Sequence, residues 1–153
     1  VRGKPTAVGL ATGAVAGLVA ITPASGSVGP MGALLIGAAS GAICYWTATS
    51  IKAKFGYDDS LDVFGVHGVG GIVGALLTGC LVIDATHGGE SFQVGEQLWI
   101  QAKSVILTIV WSGIISVVAL KIAGAIVGGI RSDEESEETG LDLTDHGEAG
   151  YSS

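Results

Sequence analysis

Charged residues are scarce in this chain. They make up 14% of the 153 residues, against roughly 25% in an average soluble domain. Proline is rare too, with 3 residues, which argues against a proline-rich linker. No basic patch is present that would neutralise a run of phosphates, so nucleic-acid binding has no support. Hydrophobic residues make up 48% of the chain, and its mean hydropathy is +0.60. Both values suit lipid rather than water as the solvent.

The groups that build enzyme and metal sites are also few. Cys44 and Cys80 lie in apolar runs without CxxC or Cys/His spacing, and we interpret both as small packed core residues in preference to a disulfide or a metal site. His87 and Glu90 share a short loop, a spacing too common to indicate a metal site. No nucleophile–base pair and no phosphate-binding glycine loop is present. The sequence therefore predicts no enzyme, no cofactor and no bound metal.

Long apolar runs dominate the first 130 residues. Crossing a hydrocarbon core of about 30 Å takes roughly 20 mostly apolar helical residues, and four runs qualify: 6–22, 28–51, 61–83 and 98–130. Buried helices of a large soluble protein are the alternative, which the scarcity of charge disfavours. Each run also holds glycines four residues apart, such as Gly70 and Gly74 in the third run and Gly124 and Gly128 in the fourth. The sequence predicts an all-α, polytopic membrane helix bundle with closely packed helices.

Basic residues indicate how the bundle is oriented. With four spans, one side of the membrane receives the following basic residues: Arg2, Lys4, Lys52, Lys54 and Arg131. The loops on the opposite side, 23–29 and 84–97, carry no Lys or Arg. The positive-inside rule therefore places both ends of the chain in the cytoplasm, with the protein in the cell membrane. The chain opens with Val1 and its one methionine is internal, so we expect a fragment of a longer protein.

The last part of the chain has a different composition. We expect residues 1–130 to form the membrane domain and residues 131–153 a polar cytoplasmic tail. The net charge of −7 comes mostly from this tail, and its acidic start should be solvated.

His67 is the one histidine inside an apolar run. It lies about six residues, or roughly 9 Å, into the third run, where an unsatisfied polar group facing lipid would cost several kcal/mol. We expect it to face the bundle interior or a pore. A neutral imidazole donates at one nitrogen and accepts at the other, which suits ammonia or a proton relay. The alternative is a helix-to-helix hydrogen bond with no transport role.

Two neighbours of His67 belong to the same hypothesis. Val63 lies one helical turn earlier, so it lines any conduit that His67 lines, and its apolar side chain would keep hydrated cations out. Asp62 is interpreted as a structural hydrogen-bond acceptor for nearby backbone, in preference to a transport site.

Four stretches resemble one known family in the same order along the chain. Residues 58–74, DDSLDVFGVHGVGGIVG, resemble the signature around the second histidine of the Amt branch of the Amt/Mep/Rh ammonium transporters. The other matches are GLVAITPA at 17–24 with Gly26, TIVWSG at 108–113, and GLD at 140–142 followed by HGE at 146–148 and Tyr151. Ser60 replaces a proline common in this family, and Lys103 stands where one related type has an acid; both positions are peripheral.

The resemblance implies an eleven-helix fold made of two inverted five-helix repeats and a long final helix, assembled as a homotrimer with a pore in each subunit. This chain would hold the last four helices. His67 matches the second of two pore histidines, Val15 and Val63 match apolar pore-lining positions, and Asp62 and Thr22 lie near the pore as structural residues. In this family ammonium, or its analogue methylammonium, is deprotonated and passes the histidines as ammonia. The first histidine and the outer recruitment site belong to earlier helices, so this chain alone should not transport.

The tail resembles the cytoplasmic regulatory segment of the same family, which works with PII-type regulatory proteins. The matching positions are Gly140, Leu141, Asp142, His146, Gly147, Glu148 and Tyr151. A disordered acidic extension is the alternative for the tail. For the whole protein, the alternatives to a transporter are a membrane sensor of ammonium that regulates nitrogen signalling and a purely structural helix bundle.

Overall fold

The computed structural model describes residues 4–83 and 93–149, whose regular elements are helical apart from one isolated bridge. The helices are α1 Ala7–Ile21, α2 Pro30–Trp46, α3 Lys52–Phe55, α4 Val69–Leu81, α5 Val94–Val127, α6 Glu134–Thr139 and α7 Leu141–Thr144. A 3-10 turn at Thr22–Ala24 extends α1, the first π-helical turn at Thr47–Ile51 links α2 to α3, and the second at Phe64–Gly68 leads into α4. Four continuous helical stretches are long and apolar enough to span a membrane: Ala7–Ala24, Pro30–Phe55, Phe64–Leu81 and Val94–Val127. The predicted all-α bundle and its four apolar spans are confirmed.

Small side chains form the contacts among α1, α2 and α4. One buried cluster contains Ala16, Cys44 and Val66, and the other contains Ala20, Ala24 and Ile36. Membrane helices gain little from burying apolar surface away from lipid, so they associate by close van der Waals packing, which small residues permit. On α1 these small residues are Ala16 and Ala20, four residues apart and hence on one face of the helix.

The closest approach in this bundle occurs where α4 crosses α1. A Cβ added to Gly74 would stand 2.1 Å from the carbonyl oxygen of Ala20, and one added to Gly70 would stand 3.3 Å from the Sγ of Cys44. Gly70 and Gly74 therefore allow neighbouring helices to pack closely, as their spacing predicted.

Backbone contacts tie the end of α4 to the turn between α1 and α2. Val28 and Val82 form an isolated antiparallel bridge, and the amide of Ile83 donates to the carbonyl of Ser27 at 3.1 Å. The end of α4 is thus fixed at one end of the bundle.

Helix α5 is apolar around its circumference, with no buried residue in its 34-residue length. A helix that is apolar on all faces is a membrane span or the core of a larger protein, and its length of roughly 50 Å exceeds the 30 Å hydrocarbon core. The helix starts four residues earlier than predicted and ends at Val127 because Gly128 takes a left-handed φ of 80°. The amides of Gly128 and Gly129 both donate to the Gly124 carbonyl. Gly128 is therefore a helix terminator, not the packing glycine that its spacing suggested.

The chain divides into two compact units, one ending at Leu107 and the other starting at Thr108. This division falls within α5, so the predicted domain boundary after residue 130 stays a prediction.

Candidate functional site

The second π-helical turn carries the histidine of interest. In this turn the amide of Val69 donates to the carbonyl of Phe64, five residues back, which widens the helix by one residue relative to α geometry. Such turns are rare and often mark functional sites. A glycine at position 65 lets this turn touch the first π-helical turn, because a Cβ there would lie only 3.3 Å from the Cα, Cβ and N of Ala48.

One side of the second π-helical turn is packed and the other is open. Gly65 and Val66 are buried, whereas His67 is exposed and Val63, just before the turn, is 51% exposed. Within residues 4–83 and 93–149 no group hydrogen-bonds the His67 imidazole. The alternative of a helix-to-helix hydrogen bond therefore has no partner in this part of the chain. The arrangement presents an imidazole and an isopropyl group on the outward side of an apolar span.

Val15 occupies a comparable place on α1. It is 38% exposed, while the next residue, Ala16, is buried in the cluster that includes Val66. Helix α1 thus packs on the second π-helical turn through Ala16 and Val66. Val15 precedes Ala16 in the sequence and His67 follows Val66, and both of these neighbours are exposed.

Thr22 lies where α1 passes into its 3-10 turn. Its hydroxyl donates to the carbonyl of Leu18 at 2.8 Å, which satisfies the hydroxyl within its own helix. This is a local structural bond, and it leaves the hydroxyl no second proton to donate.

A buried polar pair supports the peptide bond that precedes His67. The Ser40 hydroxyl donates to the Ala16 carbonyl at 2.8 Å and lies 3.4 Å from the Cys44 thiol, which in turn donates to the Val66 carbonyl at 3.8 Å. Sequence reasoning missed this pair, although Ser40 and Cys44 are four residues apart and hence share a helix face. Cys44 is buried, which confirms its predicted core role, but Cys80 is exposed, so the same prediction was wrong for Cys80.

Charged residues meet where the second π-helical turn begins. The carboxylate of Asp62 pairs with the ammonium of Lys52 at 2.7 Å, while the backbone amides of Val63 and Phe64 donate to Asp59, at 2.7 and 3.0 Å. Asp62 was expected to accept from nearby backbone, but Asp59 fills that role. The reason is geometric: Asp62 has a left-handed φ of 55°, and the Lys52 ammonium lies within reach of its carboxylate.

Helix α6 opens the tail with two local carboxylate contacts. The amide of Ser136 donates to Asp133 at 2.8 Å and Arg131 binds both oxygens of Glu137. The Ser136 amide holds the pKa of Asp133 below its usual range, and the Arg131 hydrogen bond does the same for the pKa of Glu137. The acidic start of the tail is thus an exposed helix.

The predicted regulatory residues lie mostly around the second tail helix, α7. Gly140 has a φ of 103° and separates α6 from α7, which starts with Leu141 and Asp142. The amide of Glu148 donates to the Asp142 carbonyl at 2.8 Å, closing a turn over His146 and Gly147. Tyr151 lies outside the described residues, as do His87 and Glu90. No group of three or more potential metal ligands occurs in the described part.

Four apolar helices of membrane length, one of them continuous with a π-helical turn that carries an exposed histidine, define a polytopic membrane protein. The model of the Ammonium Transporter Family matches residues 1–151. The chain belongs to the ammonium transporter family.

Curated relatives and solved structures agree with this assignment. The chain is 49% identical to an ammonium transporter of Aquifex aeolicus and 43% identical to one of Bacillus subtilis, in each case over 97% of its own length. It spans 35% and 37% of these two relatives, or about a third of each. Among solved structures, a sensor Amt protein superposes with a TM-score of 0.81 at 31% identity, over 95% of this chain and 36% of that one. Mep2 of Candida albicans superposes with a TM-score of 0.73 at 32% identity, over 88% and 31%.

Proposed function

We propose that this chain forms part of an ammonium-conducting pore in which His67 contacts the substrate and Val15 and Val63 line the path. The observation that carries the proposal is the open side of the second π-helical turn. The His67 imidazole is exposed there with no hydrogen-bond partner in the described residues, and Val63, just before the turn, is exposed as well. Val66 of the same turn is packed against Ala16 of α1 and Cys44 of α2. The identity of the substrate is inferred from the relatives, which are named ammonium transporters.

The chemistry of such a pore follows from the cost of desolvation. A cation without its water in an apolar path is very costly, whereas neutral ammonia loses only hydrogen bonds. The imidazole of His67 replaces one of these bonds, because it offers both a donor and an acceptor. The valines offer none, so a hydrated cation finds no ligands there. Ammonium therefore transfers its proton to water before it enters this region and passes it as ammonia, and no other covalent change to the substrate is needed.

The test is uptake of methylammonium by cells that lack their own transporters and express the full-length protein, with and without His67→Ala. We expect uptake by the intact protein, and either loss of uptake or loss of selectivity over potassium in a variant that inserts normally. His146→Ala, in the tail, is the matched control and should leave selectivity unchanged. Normal uptake and selectivity in His67→Ala would refute the role of His67.

An ammonium sensor is the second candidate, because a sensor Amt protein superposes on this chain with a TM-score of 0.81. In a sensor, ammonium binding at the same residues would change a signalling output without net uptake. A correctly inserted intact protein that takes up no methylammonium but changes a nitrogen-regulated signal would favour this candidate.

The tail and the assembly complete the proposal. We propose that residues 131–153 lie in the cytoplasm, as does the start of the chain, and that the tail takes part in regulation by a PII-type protein in a homotrimer. The support is local: the Arg131–Glu137 pair and the Asp133 cap give the tail an ordered start. Removing residues 133–153 from the full-length protein should leave membrane insertion intact and abolish binding of a purified PII-type protein. Unchanged binding would refute the role of the tail.

A further inference from the structure

The two π-helical turns are connected by one lysine. Lys52 directly follows the first π-helical turn, and its amide donates to the carbonyl of Thr47, five residues back. Its ammonium donates to the carbonyl of Asp59 and to the carboxylate of Asp62. The side chains of Lys52 and Asp62 are only 29% and 33% exposed, so water screens this ion pair less than a pair at the surface. Lys52 therefore fixes the loop that precedes the second π-helical turn.

The same loop sets where the second π-helical turn begins. Asp59 accepts from the amides of Val63 and Phe64, two of the amides that have no partner within their own helix at a helix start. Asp62 holds a left-handed φ of 55°, a conformation that costs a non-glycine residue energy. The ion pair to Lys52 offsets that cost. Without Lys52, nothing else described holds the Asp62 carboxylate in this position.

A second contact makes the two turns one unit. A Cβ added to Gly65 would stand only 3.3 Å from the Cα, Cβ and N of Ala48, so the two turns already lie close together and have little space to move closer. The Lys52 ion pair prevents them from moving apart at the other end of the loop. His67 lies two residues after Gly65, so its position depends on both contacts.

We propose that Lys52, acting through Asp62 and Asp59, is a positioning residue for His67. The proposal rests on the proposed function of His67 as the residue that contacts the substrate. Lys52 itself does not touch the substrate; it determines where the imidazole stands. Even about 1 Å of misplacement of a functional group costs about a hundredfold in the step that it assists, so a smaller shift should alter selectivity measurably.

The test compares Lys52→Met with Lys54→Met in the full-length protein. The two lysines are two residues apart, but the ammonium of Lys54 stands over the ring of Phe55 and is not paired with Asp62. Lys52→Arg keeps the charge and serves as the rescue variant. The readout is the ratio of methylammonium to potassium permeation at equal amounts of folded protein, because a purely structural lysine would change the amount and not the ratio.

We expect Lys52→Met to change this ratio by about tenfold, with Lys54→Met unchanged and Lys52→Arg close to the unaltered protein. An unchanged ratio in folded Lys52→Met would overturn the proposal. If Lys52→Met does not fold, Asp62→Asn replaces it, since the amide keeps the shape and one hydrogen bond but removes the charge; it must change the ratio in the same direction.

A second readout separates this proposal from the proposed function. In a background with Cys80→Ser and the other accessible cysteines replaced, the reaction rate of His67→Cys with a small charged thiol reagent reports the position of residue 67 without any transport. Lys52→Met should alter this rate at least about threefold and Lys54→Met should not. If the intact protein takes up no methylammonium but this rate changes, the proposed function fails and the positioning stands. An unchanged rate overturns the positioning whatever the uptake.

Discussion

Replacing Gly74 by alanine tests the packing of α4 on α1 most directly. The added Cβ would stand 2.1 Å from the carbonyl oxygen of Ala20 and 2.8 Å from its Cα. Ordinary contact begins at 3.4 Å, so the two helices would have to separate by about 1 Å at this crossing. The obstacle is backbone, so no change of side-chain rotamer relieves it.

The expected magnitude follows from two opposing terms. An extra methyl group in a packed interior costs about 1–3 kcal/mol, occasionally more, whereas alanine in place of glycine within a helix gains roughly 0.5–1 kcal/mol. We expect a net loss of about 2 kcal/mol or more for Gly74→Ala, since a 2.1 Å approach is at the severe end. Gly71→Ala is the control, because no described atom lies within 4 Å of a Cβ added at Gly71. It should be neutral or slightly stabilising.

The assay heats the full-length protein in detergent and measures the fraction that stays monodisperse by size-exclusion chromatography. Gly74→Ala should lower the apparent Tm by several degrees, at about 2–4 °C per kcal/mol, and Gly71→Ala should not. Adding Ala20→Gly to Gly74→Ala should restore nothing, because it removes only a side chain while the clash is with backbone. An apparent Tm of Gly74→Ala equal to that of Gly71→Ala would refute the close approach.

Three further predictions concern single contacts elsewhere. Ser40→Ala removes the buried donor to the Ala16 carbonyl and should lower the free energy of unfolding by about 1 kcal/mol, seen as a lower apparent Tm; an unchanged Tm would contradict it. Gly128→Ala places a side chain at a φ of 80°, costs about 1–2 kcal/mol, and should speed amide hydrogen exchange in the last turn of α5, whereas Gly113→Ala should not. The Arg131 hydrogen bond lowers the pKa of Glu137 from its usual 4.5, so its stabilisation of α6 is complete above that value and is lost as the pH falls through the lowered pKa. The protection factors of the α6 amides, that is, their exchange rates relative to an unfolded chain at the same pH, should therefore fall on acidification below about pH 4.5. Arg131→Gln should weaken this dependence, and identical pH profiles would exclude the pair as its cause.

Apolar runs predicted the membrane helices well because length and hydropathy alone decide them. Each of the four predicted spans overlaps one observed span and differs from it by at most four residues at either end, and Gly70 and Gly74 pack as their spacing indicated. The end of α5 differed, since a glycine four residues after another marks either a packing face or a helix end. Only the φ of Gly128 distinguishes the two.

The surroundings of His67 were harder to predict. The place of Val63 beside His67 was argued from α-helical spacing, but a π-helical turn starts directly after Val63 and changes that spacing. Nothing in an apolar sequence signals the extra residue of such a turn. The Lys52–Asp62 pair was missed for a related reason: the two residues are ten apart and meet only because the chain reverses between α3 and the second π-helical turn. Whether Val15, Val63 and His67 line one pore stays a prediction.

The second π-helical turn also restricts which insertions and deletions this segment tolerates. A π-helical turn is an α-helix that has absorbed one additional residue, so deleting one residue between 64 and 68 would restore regular helix geometry. Each residue of an α-helix turns the chain by about 100°, and the deletion would rotate everything before it by that angle relative to α4. Asp59 and Asp62 would then face away from Lys52. Proteins that keep this lysine–aspartate contact should therefore keep the number of residues between Asp62 and Gly70 constant, even where they change the residues themselves.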